Sequence, residues 1–148
     1  MTDPMYTRIS DVVNKFRSGD AAARTELLDV WRETGPTGDA FHRCTLAHYL
    51  ADMYDDAAQS LIWDTRALDA ADAIADVDGF YPSLHLNLAD DLRRLGSFEA
   101  AAEHIDKARE SLHTLADDGY GVMIRTAVGE VADAIATRTT ERRDSHPS

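Results

Sequence analysis

Apolar residues recur along most of this chain at intervals of three and four, and no stretch shows the strict alternation of a half-buried strand. The pattern predicts helix throughout, broken only where Gly, Pro and Asp cluster. A first helix over 4–17 buries Ile9, Val12, Val13 and Phe16 and stops at Ser18-Gly19. Asp20 then caps a second helix carrying Ala23, Leu27, Leu28 and Trp31 on one face. The loop Gly35-Pro36-Thr37-Gly38-Asp39 precedes a third helix over 40–54. Asp55-Asp56 turns into a fourth over 57–75, packed through Leu61, Trp63, Leu68, Ala71 and Ile74. After the turn at 76–82 come a fifth helix over 82–95, a sixth over 98–116 and a seventh over 120–137. The stripe of the seventh is Ile124, Val128, Val131 and Ile135. From Arg138 onward apolar residues almost vanish, so 138–148 is expected to be a disordered tail beside a single helical domain at 1–137.

Short turns force successive helices to lie antiparallel, and a pair of helices cannot bury both its faces alone. The expectation is an all-α fold of about seven helices, stacked as antiparallel pairs and sealed by a C-terminal helix. The pattern is clearest between residues 87 and 108. Leu88-Ala89-x2-Leu92 is followed by Leu95-Gly96-Ser97-Phe98 and then Ala101-x3-Ile105-x2-Ala108. These residues resemble the tetratricopeptide repeat, with Ala89, Ala101 and Ala108 at the close crossings, Leu92, Phe98 and Ile105 filling the space between, and Gly96 reversing the chain. Ala47, Leu50 and Trp63 stand at matching places in an earlier unit, where Tyr54 replaces the turn glycine. From Val12 to Ala47 the step is 35 residues, close to the repeat's usual length of about 34, and from Ala47 to Ala89 it is 42, which exceeds it. The resemblance implies a right-handed superhelix whose first helices line a concave groove. It also implies that Asn87, Asp90, Arg93 and Arg94, with Cys44, His48 and Asp52 on the third helix, face a partner there.

Charge narrows the partners. Of 148 residues, 27 are acidic and 15 basic, a net charge of −12, which repels a phosphate backbone and excludes nucleic acid. The abundance of Ala, Asp and Arg is the composition of a GC-rich bacterium, of actinobacterial type. The absence of a long apolar run and of a basic-apolar N-terminus points to a cytoplasmic protein away from membranes. The lone Cys44 cannot form an internal disulfide.

No catalytic constellation is visible and no cofactor is implied. Cys44 reads as a buried thiol, and the paired aspartates at helix starts as caps. The turn Asp76-x-Asp78-Gly79 lacks the closing ligands of a calcium loop. The function expected is therefore non-enzymatic: an adaptor holding a peptide or partner segment in its groove, weakly, on the order of micromolar. Two alternatives stand beside it. One is a small metal- or ligand-dependent enzyme or binding protein using His48, Asp52 and His85 between helix pairs. The other is a homodimer whose groove is filled by a second copy.

Overall fold

A computed structural model describes residues 3–74 and 78–143. These residues form seven α-helices and no strand: α1 (Pro4–Arg17), α2 (Ala23–Thr34), α3 (Ala40–Asp52), α4 (Ala57–Ala71), α5 (Tyr81–Arg94), α6 (Phe98–Ser111) and α7 (Gly119–Ala136). Short 3-10 turns at Asp78–Phe80 and Leu112–Thr114 lead into α5 and out of α6. None of the helices is long and apolar enough to cross a membrane.

Helices α1, α3 and α7 begin where a carboxylate takes an orphan amide, whereas Asp56, expected to cap α4, makes no such bond. Asp3 accepts from the amides of Met5 and Tyr6, Asp39 from His42, and Asp118 from Gly121. Asp20 is one turn early: it accepts from the amide of Ala22, and α2 starts only at Ala23. Ends are set by left-handed residues. At Gly96 (φ 82°) the amide reaches Arg93 O while Ser97 N reaches Leu92 O, the paired bonds that close a helix and reverse the chain. Gly19 ends α1 by the same pair of bonds, to Phe16 O and Lys15 O. The sixth helix stops at Ser111, short of the expected 116, because the 3-10 turn takes over the last residues.

Packing follows chain order. α1 lies on α2, α3 on α4 and α5 on α6; α2 contacts α3, α4 contacts α5, and α7 closes on both α5 and α6. The apolar interior is in two parts. The larger joins α1 to α4 around Ile9, Leu27, Leu46, Leu50 and Trp63 and ends at Leu84. The smaller joins α5 to α7 around Leu86, Ala89, Ile105, Ile124, Val128 and Val131. Ala47, Ala89, Ala101 and Ala108 are fully buried at crossings, whereas Leu92 and Phe98 remain half-exposed.

Where α4 meets α5 the interior turns polar. Asp64, Asn87, Asp90, Asp91 and Arg93 are each 2% exposed or less. The Arg93 guanidinium donates through Nε to Asp90 Oδ1 at 2.9 Å, and its Nη2 forms an ion pair with the same oxygen at 2.8 Å. It also donates to the carbonyls of Thr139 and Glu141 at 2.7 and 2.8 Å. These bonds alter the expectation for the tail. Residues 138–143 form a strap across α5, with Arg138 over the Phe98 ring, Arg142 paired with Asp55 and Arg143 with Glu130. A segment poor in apolar residues is held here by its own backbone carbonyls and by arginines. Residues 144–148 lie outside the described residues.

Candidate groove

Two depressions run along one face of α3 and share Tyr49. Helical spacing explains the alignment, since Phe41, Cys44, Thr45, His48, Tyr49 and Asp52 each have another of the set three or four residues away. The first depression, about 220 Å³, is walled by Tyr6 from α1, Phe80 before α5, Ser83 and Leu84 of α5, and Tyr120 of α7. Its aromatic rings are stacked or tilted on one another: Tyr6 and Phe41 have centroids 6.3 Å apart at 29°, Phe41 and Phe80 6.1 Å at 41°. Tyr6, Phe80 and Tyr120 keep more than a third of their surface in solvent.

The second depression, about 180 Å³, lies at the other end of α3. Arg17 from α1, Arg94 from α5 and Arg142 from the strap surround it, with Val13, Phe16 and Met53 as apolar wall and Asp52, Tyr49 and Tyr54 below. Arg94 donates to the Asp55 carbonyl, and the Arg17 guanidinium stands 5.9 Å from the Tyr49 ring.

Of the residues expected in a partner groove, Cys44, His48, Asp52 and Arg94 line these depressions. Asn87, Asp90 and Arg93 do not. They belong to the buried α4–α5 seam, where both amide atoms of Asn87 lack a hydrogen-bond partner among the described residues. Arg93 does hold extended backbone, but of the protein's own strap. Burial pushes the Cys44 thiol up to about 11, which leaves it inert as a nucleophile at neutral pH.

His48, Asp52 and His85 are not brought together. His85 turns from the groove toward α6, where its Nδ1 lies 3.0 Å from Nδ1 of His104. With ring centroids 5.3 Å apart, the two nitrogens point at one another. One imidazole donates and the other accepts; their lone pairs do not converge on a third point, as a metal would require. Burial, then the other imidazole, depress His85 to about 4, and burial depresses His104 as well. Among the described residues no group of three or more His, Cys, Asp or Glu is arranged to hold a metal ion.

Two carboxyls of the seam, Asp64 and Asp91, are raised above the ordinary carboxylate range. Burial first, then the hydrogen bond to Asp91, raise Asp64 well above the ordinary carboxylate range. Asp91 is pushed up to about 7, chiefly by burial, with the bond from Asp64 acting to lower it. Were both ionised, neither Asp91 oxygen would meet a donor among the described residues. Asp52 is likewise pushed up to about 7 by burial, against the pull of Arg17 and Arg142.

Arg17, Tyr49 and Arg142 escape a sequence-only reading, as do the aromatic wall residues Tyr6, Phe41, Phe80 and Tyr120. Arginine is common in this chain and tyrosine ordinary, so only the fold distinguishes these copies. His104 leaves a fainter trace, since it faces His85 across the two helices of one pair.

Compared with protein-family models, with curated proteins and with solved structures, the chain matches none.

Proposed function

We propose that this protein is a non-enzymatic binding module that holds an extended segment of a protein partner along α3. What carries the reading is the position of Tyr49. It joins an aromatic depression to an arginine-ringed one in a single trough lined by α1, α3, α5 and α7, the odd-numbered helices. The packing of successive helix pairs supports a tetratricopeptide-like stack in which such helices form the concave side. Fold likeness alone is a weak warrant, and the trough chemistry adds to it. Exposed aromatic edges supply area at low entropic cost, and arginines supply orientation.

The trough floor is α3 and its residues Thr45, His48 and Tyr49, not Asn87 or Asp90, where alanine would report on folding. A random peptide library selected against the immobilised protein yields ligands whose affinity is read by fluorescence anisotropy. Thr45→Trp fills the trough and should weaken capture at least tenfold. Ile62→Trp, on an exposed site of α4, should leave it unchanged. Equal affinity of the Thr45→Trp protein would reject the trough. Light scattering over a concentration series separates the case in which a second copy occupies it.

A further inference from the structure

We propose that the arginine-ringed end of the trough is an oxyanion site that takes a carboxylate or phosphate group. As the anchor of a bound partner it rests on the binding-module reading; as a site for a free anion it does not.

In a chain of net charge −12, three arginines from distant stretches converge on one pocket of about 180 Å³. Arg17 and Arg94 each stand in the last turn of a helix, where a cation offsets the exposed carbonyls. That accounts for a basic residue at each position but not for both turning to the same cavity as Arg142. A guanidinium carries five donors in a planar fork that matches a carboxylate or phosphate edge. The contacts with Asp55 take one donor of Arg94, through the carbonyl, and one of Arg142, through the carboxylate. The apolar wall of Val13, Phe16 and Met53 limits solvent screening of any anion held there.

Arg17 and Arg142 pull the Asp52 carboxyl down, but burial outweighs them and it stays raised to about 7. Around it are Arg17 of α1, His48 and Tyr49 of α3, Asp64 of α4, Asp91 and Arg94 of α5, Tyr54, and Arg142 of the strap. An entering anion adds negative charge to this group, so binding draws a proton onto Asp52 and weakens as pH rises through 7. Asp55 acts as an internal competitor for Arg142.

Sulfate is the primary probe because its charge is constant across this range. Benzoate and phenyl phosphate form two further arms, and the tighter of them identifies the group. Titration is followed by NMR on the full chain at constant ionic strength, set with sodium chloride. Saturable binding is expected near millimolar, about 4 kcal/mol. Arg17→Gln and Arg94→Gln should each weaken it about tenfold, Arg17→Lys less, and Asp55→Asn should tighten it several-fold. Affinity should drop between pH 6 and 8.5, and Asp52→Asn should remove most of that drop. Because both arginines are surface residues of helix ends, unchanged circular dichroism separates lost binding from lost fold. No saturable sulfate binding, or full affinity in Arg17→Gln and Arg94→Gln, overturns the site. Anion binding that survives while Thr45→Trp leaves peptide capture intact sinks the trough and keeps the site. The converse, Thr45→Trp abolishing peptide capture while the arginine variants keep full sulfate affinity, keeps the trough and sinks the site.

Discussion

Replacing Arg93 by methionine keeps a long unbranched side chain in place and removes every bond that the guanidinium makes. One of those bonds goes to Asp90 Oδ1, beside an ion-pair contact to the same oxygen, and two go to strap carbonyls. The carbonyls of Thr139 and Glu141 belong to exposed residues and can turn to water. Asp90 cannot, because its side chain is 3% exposed. Stripping one partner from a buried ion pair leaves an uncompensated charge and costs about 3–5 kcal/mol. For a chain of this size, that lowers the melting temperature by roughly 10 °C.

Two further readouts distinguish the buried pair from a general packing defect. Asp90→Leu combined with Arg93→Met replaces both charges by apolar groups and should recover most of the loss, since an apolar replacement of a whole pair is often neutral. Trypsin should also cut faster after Arg138, Arg142 and Arg143 once the strap has lost its anchor, at temperatures where the helices remain intact. Urea denaturation followed by circular dichroism measures the first effect, and timed digestion with mass spectrometry the second. A loss below about 1 kcal/mol for Arg93→Met, or strap cleavage at the unaltered rate, would refute the assignment of Arg93 as the anchor.

Stability should depend on pH with two opposed parts. Asp91 keeps its proton to about pH 7 in the folded chain but only to 3.8 ordinarily, so folding takes up a proton between these limits and stability falls as pH rises across them. His85 titrates near 4 when folded against 6.5 ordinarily, so its contribution is complete above 6.5 and is lost as pH falls toward 4. Relative to the unaltered protein, denaturation midpoints between pH 4 and 6.5 should therefore fall with rising pH in His85→Asn and rise in Asp91→Asn; identical profiles for all three proteins would contradict both shifts. Three glycines should order themselves by cause. Gly129→Ala, exposed in mid-helix with nothing within 4 Å of the new Cβ, should stabilise by about 0.5–1 kcal/mol. Gly96→Ala, equally uncrowded but at φ 82°, should cost about 1 kcal/mol. Gly121→Ala would place its Cβ 2.0 Å from Ala116 O and should cost more than either, about 2 kcal/mol or above. Thermal melts rank the three, and any other order breaks the account.

The helical elements were legible because each signal is local. Asp3, Asp39 and Asp118 find amides within three residues, and Gly19 and Gly96 close turns by bonds spanning five. The periodic stripe of Ile9, Val12 and Val13, or of Ile124, Val128 and Val131, reports which face is apolar, and those faces are buried. What periodicity cannot report is whether the opposite face is also covered. On α5 the residues Asn87, Asp90, Asp91 and Arg93 make a polar face that resembles a solvated or partner-facing surface. Yet α4, α6, α7 and the strap all lie against this helix, which leaves that face no solvent. Asp52 and Arg94 reach the trough because they stand near helix ends, where the covering layer stops.

The strap shows why composition misreads the end of the chain. Low apolar content predicts disorder on the premise that ordering entropy is recovered only by burying hydrocarbon. Here the favourable term lies on the other partner, since Arg93 must satisfy its donors once it is buried and the backbone of residues 139–141 satisfies them with no side-chain requirement. Any sequence that avoided proline and kept its carbonyls in reach would serve as well, so nothing in Thr139 or Glu141 marks them. The same docking brings Arg142 over the α3 trough, opposite Arg17. A buried ion pair in the α4–α5 seam and a charged rim at the surface are thus mechanically joined through four residues of chain. Loosening Arg93 should accordingly weaken sulfate binding to the degree that removing Arg142 does, although Arg93 touches no part of the pocket.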